Sequence, residues 1–173
     1  MVTGVRQLTW SAAEILALAT KAARGAGAPP AQAARFGQVA PLHLMAGRKT
    51  ELLAEALDAL PDGPVLSYPL AIDRALTALA QGHEAEIAGV PFDELLESYV
   101  DTVPFAAEVT HKTQGHVALQ VDFAVPRAPA VLHRISGCDA LIALMLGLAA
   151  RTFVPESDQS RKSGAGAGLT DND

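Results

Sequence analysis

The chain has 173 residues, 50% hydrophobic and 18% charged, with 13 Lys plus Arg against 19 Asp plus Glu for a formal charge of -6. That length and apolar content suit one domain with a single substantial core and exclude a disordered chain. The net negative charge and the lack of any basic run longer than Arg161-Lys162 argue against a nucleic-acid partner, and the longest apolar run, Ala140 to Ala150, is eleven residues where a membrane span needs about 20.

Ser11 and Glu14 stand at capping-box spacing ahead of Ile15, Leu16 and Leu18, which predicts a first helix stopped by Gly25 and Gly27. Trp10, just before that cap, reads as a hydrophobic staple. Pro29 and Pro30 open a second helix that Phe36 and Val39 carry to Pro41, where the missing amide is expected to end or kink it. A third runs from about Thr50 to Leu60, with Leu52, Leu53, Ala56, Leu57 and Leu60 on one side, and Pro61 to Pro64 reads as a turn. After an extended piece from Val65 to Tyr68, Pro69 opens a fourth helix bearing Ile72, Leu76 and Leu79, closed by Gln81-Gly82. Pro91 starts a fifth through Leu95, Leu96 and Tyr99.

The pattern then changes to alternation. Val117, Leu119, Val121 and Phe123 against His116, Gln120 and Asp122 predict a half-buried strand, paired with Phe105 to Thr110 through a loop at Lys112 to Gly115. Pro126 and Pro129 end it, and Val131 to Ile135 reads as a short third strand. Ser136 and Asp139 stand at capping-box distance before an apolar helix, Ala140 to Arg151, expected at the centre of the core or in a subunit interface because it is apolar nearly all round.

Chemistry-bearing residues concentrate at the C-terminus. In Ser160, Arg161, Lys162, Ser163, Gly164, Gly166 and Gly168, hydroxyls and cations adjoin glycines at alternate positions, a set of donors suited to a phosphate or carboxylate. Asp171, Asn172 and Asp173 supply oxygens for a hard cation or a basic surface. The competing reading is a solvated tail. Cys138, at a predicted helix N-terminus, is a candidate nucleophile with His133 or another histidine as its base; packing competes, because free cysteine is among the most buried residue types and Asp139 disfavours a thiolate. His111 and His116 flank the hairpin loop as candidate metal ligands, with Glu108 as a third. Tyr68, Asp73 and Arg74 are candidates to line a cleft, against a solvated helix face. The sequence has no GxGxxG after a strand, P-loop, HExxH, paired CxxC or GxSxG, so the common nucleotide, zinc and hydrolase readings lack their mechanical parts and the cofactor is left open.

One resemblance adds to this. Lys21-Ala22-Ala23-Arg24-Gly25-Ala26-Gly27 near the start, Val154-Pro155-Glu156-Ser157 and Ser160-Arg161 near the end, and the closing stretch from Gly164 to Asp173 together resemble a bacterial family catalogued as domain of unknown function 3726. The resemblance brackets most of the chain and leaves 47–136 unmatched. It transfers no activity, fold, cofactor or catalytic residue, and implies that both glycine-bearing ends belong to the design of the protein.

The expected fold is α+β: a helical N-terminal layer, a small antiparallel sheet with a hairpin, and a buried C-terminal helix, forming one domain over 1–156 with a functional Gly-rich tail over 157–173. One cysteine and no signal-peptide core in Met1 to Leu8 suit a cytoplasmic setting. The leading expectation is a metabolic enzyme or enzyme subunit that binds a small anionic metabolite through Ser160 to Gly168. The alternative is a non-catalytic accessory subunit whose tail docks into a partner protein or neighbouring protomer, the apolar content favouring a homo-oligomer. A third is a metal-dependent enzyme using His111, His116 and the terminal acids.

Overall fold

The computed structural model describes residues 8–83, 85–87, 89–112 and 117–152. Helix α1 (Ala12–Gly25) starts on the expected capping box: Ser11 Oγ accepts from the Glu14 amide at 3.2 Å, and the Glu14 carboxylate accepts from the Ser11 amide at 2.7 Å. Its face of Ile15, Leu18, Ala19, Ala22 and Ala23 is buried, and α1 packs against both α2 (Pro30–Met45) and α6 (Asp139–Ala149). Each approach depends on a missing side chain. A Cβ on Gly37 of α2 would lie 1.9 Å from Thr20 Oγ1, and one on Gly25 would lie 1.9 Å from the Leu148 carbonyl oxygen.

Pro41 does not end its helix, and Pro64, Pro69 and Pro91 stand elsewhere in their elements than the sequence implied. Helix α2 runs through Pro41 to Met45; the ring forfeits the bond to the Gly37 carbonyl, and burial of Val39, Ala40, Pro41 and His43 outweighs that loss. Helix α3 (Thr50–Asp58) follows as read, ending slightly earlier. The extended piece at Val65 to Tyr68 does not exist, because α4 (Pro64–Ala80) begins at Pro64 in the first helical position and continues through Pro69. Val65, Tyr68, Ile72 and Ala75 are all buried at helical spacing, so the burial of one continuous face carries the helix across the second proline. Helix α5 (Glu94–Val100) starts beyond Pro91, where the Asp93 side chain accepts from the Leu96 amide at 2.7 Å.

The sheet is antiparallel in the order β1-β3-β2, with β1 (Glu86–Ile87), β2 (Phe105–His111) and β3 (Val117–Pro126). The register pairs Val109 with Leu119 and Ala107 with Val121, as the alternation implied; the two-residue β1 was not foreseen. Between Phe105↔Pro126 and Ala106↔Asp122 the ladder shifts, leaving Phe123, Ala124 and Val125 as extra residues on β3. Val131 to Ile135 is no strand. It contributes one bridge, Trp10↔Ile135, closed by two 2.8 Å backbone bonds, so the backbone of Trp10 ties the segment before α1 to the segment before α6. Six α-helices among the described residues and a three-stranded antiparallel sheet make the architecture α+β. Among the described residues no helix is long and apolar enough to cross a membrane.

Helix α6 begins at Asp139 with Cys138 as N-cap and no side-chain capping bond, so the second capping box does not form. It buries Leu141, Ile142, Met145, Leu148 and Ala149, while Ala140, Ala143, Leu146 and Gly147 face outward, as does Ala150 at the start of a closing 3-10 turn.

Candidate functional site

The most connected polar network joins the α2–α3 corner to α5. His43, on the buried face of α2, places Nε2 2.8 Å from the Lys49 carbonyl and Nδ1 2.8 Å from Ser98 Oγ. A carbonyl only accepts, so we assign the ring proton to Nε2, and neutral Nδ1 accepts from the Ser98 hydroxyl. Ser98 Oγ also accepts from Arg48 Nη1 at 2.7 Å and has a second acceptor, the Glu94 carbonyl, at 2.8 Å. Arg48 reaches Asp101 Oδ2 at 2.6 Å and Glu97 at 3.5 Å. Asp101 Oδ1 lies 3.4 Å from Arg127 Nη1, and Arg127 donates further to the carbonyls of Val103, Val100 and Ala107 at 2.9, 3.1 and 3.0 Å.

Burial pushes the His43 pKa below its ordinary value; the bond to the Lys49 carbonyl opposes this, Arg48 adds to it, and Glu94 and Asp93 oppose it. A serine bonded to a histidine is a nucleophile and base by residue type. Here both side chains are fully buried and Arg48 occupies the hydroxyl, so the pair locks two parts of the core together rather than meeting a substrate. The reading of the sequence missed His43, Arg48, Ser98, Asp101 and Arg127. The available signal was a polar residue on each of two otherwise apolar faces, Ser98 among Leu95, Leu96, Tyr99 and Val100, and His43 in line with Phe36, Val39 and Ala40.

Two surface grooves adjoin Arg127. One, of about 590 Å³, runs between Leu42, Met45, Val103, Pro104 and Val131, with His133 at its border. The other, of about 690 Å³, lies against Ala106, Glu108, Gln120, Asp122 and Val125. Both are in the size range of small-ligand clefts. Arg127 spends its donors on backbone carbonyls and Asp101, which makes it a clamp between α5 and the sheet.

The residues singled out in the sequence are scattered. Ser160, Arg161, Lys162, Ser163, Gly164, Gly166, Gly168 and the terminal acids, with His116, lie outside the described residues. His111 ends β2, stacked at 5.7 Å on Phe92. Strand alternation puts Glu108 on the opposite sheet face from His111, so Glu108 is not its third ligand. Among the described residues no group of three metal-ligating side chains forms. Cys138 is buried, and burial followed by the Asp139 charge pushes its thiol pKa up, the opposite of what an activated nucleophile needs. Tyr68 is buried and donates to Asp93, whereas Asp73 pairs with Arg35 at 2.6 Å and lies with Arg74 along a shallow surface groove. The cleft expected from these three does not form. The hydroxyl of Tyr99 and the Nε1 of Trp10 are buried with no hydrogen-bond partner among the described residues.

Large apolar side chains are exposed in several places: Val131 at 86% and Leu132 at 70% in the segment leading to α6, Leu146 at 52% on α6, and Phe123 and Val125 on β3. No family model, curated protein or solved structure matches the chain.

Proposed function

We propose that this chain is an interaction subunit that associates with a second copy of itself through the outer face of α6, in a cytoplasmic setting where Cys138 stays reduced. The observation that carries this reading is that Ala140 to Ala150 has no charged or hydrogen-bonding side chain, yet half of it faces outward. A helix that covers one side of a layer ordinarily turns polar residues to water. Among the described residues nothing covers Ala140, Ala143, Leu146, Gly147 and Ala150, and each Å² of apolar surface kept from water is worth about 25 cal/mol. Ala140, Ala143, Gly147 and Ala150 share a stripe, with open space over Gly147, so another helix can approach closely beside Leu146. An uncharged apolar patch is complementary to itself, the condition for a two-fold interface.

Light scattering during size exclusion tests this. The wild type should run at about twice its 17.9 kDa mass, and Ala143→Glu or Leu146→Glu should run as a folded monomer. A wild type that is monomeric at every accessible concentration sinks the reading.

The composition of Ser160 to Gly168 favours a second reading, in which an enzyme or enzyme subunit binds a small anionic metabolite with its tail. Thermal shifts with phosphates and carboxylates, on the full chain and on Arg161→Ala/Lys162→Ala, check it. Stabilisation by one anion class that the double variant loses supports the tail site; identical shifts in both reject it.

A further inference from the structure

We propose that the outer edge of β2 docks an extended, Lys- or Arg-bearing segment of another polypeptide, which adds to the sheet as a fourth strand. β2 is the end strand of the sheet, and among the described residues its backbone pairs only with β3, apart from the one bond from Arg127 to the Ala107 carbonyl. Proteins ordinarily protect such an edge with a lysine, a proline or a bulge. Phe105–His111 contains no lysine or proline, and the extra residues at the register shift lie on β3. Arg127 holds the Ala107 carbonyl on that edge, and the stretch beyond it, Glu108 to His111, has no other backbone partner on its outer side among the described residues, a length short strands commonly have.

The faces of the sheet specify the chemistry of the added strand. Alternation places Ala106, Glu108 and Thr110 of β2 on one face with Ala118, Gln120 and Asp122 of β3; Glu108 and Asp122 are exposed there, and the cation that borders the same groove, Arg127, is already engaged by Asp101 and three backbone carbonyls. The side chains of Glu108 and Gln120 have no hydrogen-bond partner among the described residues, and both residues border the 690 Å³ groove. The other face carries Ala107 and Val109, both half-buried. A strand alternating basic and aliphatic residues therefore sets its cations beside Glu108 and its aliphatic side chains beside Val109, and opposite charges across a strand pair favour that register. An acidic strand would meet like charge.

The test is amide hydrogen exchange on the isotope-labelled full chain with two synthetic peptides, one alternating Val and Lys and one alternating Val and Glu. At a concentration that fills nine-tenths of the sites, the basic peptide should slow exchange of alternate β2 amides between Ala106 and Thr110 about tenfold, and the acidic one should leave them unchanged. Added salt should weaken the protection, and Glu108→Lys with Asp122→Lys should reverse the preference. Equal protection by both peptides, or protection confined to residues outside β2, overturns the proposal. So does protection that grows with protein concentration alone, which would give the edge to a second copy. Running the same titration on Leu146→Glu separates this edge from self-association through α6.

Discussion

Nδ1 of His43 and Oγ of Ser98 lie 2.8 Å apart, both fully buried, although 55 residues separate them in the chain. The bond ties α2 to α5, and the Lys49 carbonyl on Nε2 ties the same ring to the start of α3. One neutral imidazole thus holds three helices in register, and its charge state is part of the fold.

The pH dependence follows with a definite sign. The native pKa of His43 is below the ordinary 6.5, so between the two values the unfolded chain binds the proton and the native chain does not. The contribution of His43 to stability is therefore fully present above about pH 6.5 and is lost as pH falls through the native value. Urea unfolding at stepped pH should show stability falling on the acid side, and His43→Gln should flatten that slope while costing about 1–3 kcal/mol at neutral pH for the broken buried bonds. An unchanged slope in the variant would exclude His43 as its source.

Arg127→Lys should destabilise the chain by about 1–3 kcal/mol, because an ammonium cannot span the carbonyls of Val100, Val103 and Ala107 and Asp101 at once. Hydrogen exchange should show the loss concentrated in β2 and the end of α5. A uniform change across all helices would mean that the clamp is not local.

Gly25→Ala should cost about 1–3 kcal/mol despite alanine's better helix propensity, since the new Cβ falls 1.9 Å from the Leu148 carbonyl oxygen, a backbone atom that moves only with α6. Thermal unfolding reads this directly. At Gly27, where nothing lies within 4 Å but φ is +105°, the same substitution is strained by backbone conformation instead.

Tyr99→Phe should be neutral or stabilising by up to about 1 kcal/mol. The hydroxyl is buried with no partner among the described residues, so removing it relieves a desolvated polar group while the edge-on packing against Tyr68, with centroids 5.9 Å apart, remains. A loss of stability in denaturant titration would reveal a partner for that hydroxyl.

Local signals in the sequence determined local structure. Ser11 and Glu14 specify the start of α1 because a capping box closes within four residues, and the alternation from Val117 to Phe123 specifies a strand because its partner, β2, lies a short loop away in the chain. Pro69 misled because a proline forfeits one bond, while the decision to stay helical lay with Val65 and Tyr68, whose burial depends on elements far along the chain. Val131 to Ile135 had strand-like residues and found only the single bridge to Trp10, since a strand exists only where an edge receives it. The His43, Ser98, Arg48, Asp101 and Arg127 network left only a polar residue on each of two apolar faces as its mark, because the bonds among these five join residues 26 to 55 positions apart. Apolar content determined that α6 would be buried on at least one side; which side, and that the described residues leave its other side open, were decided only by where α1 and α3 pack.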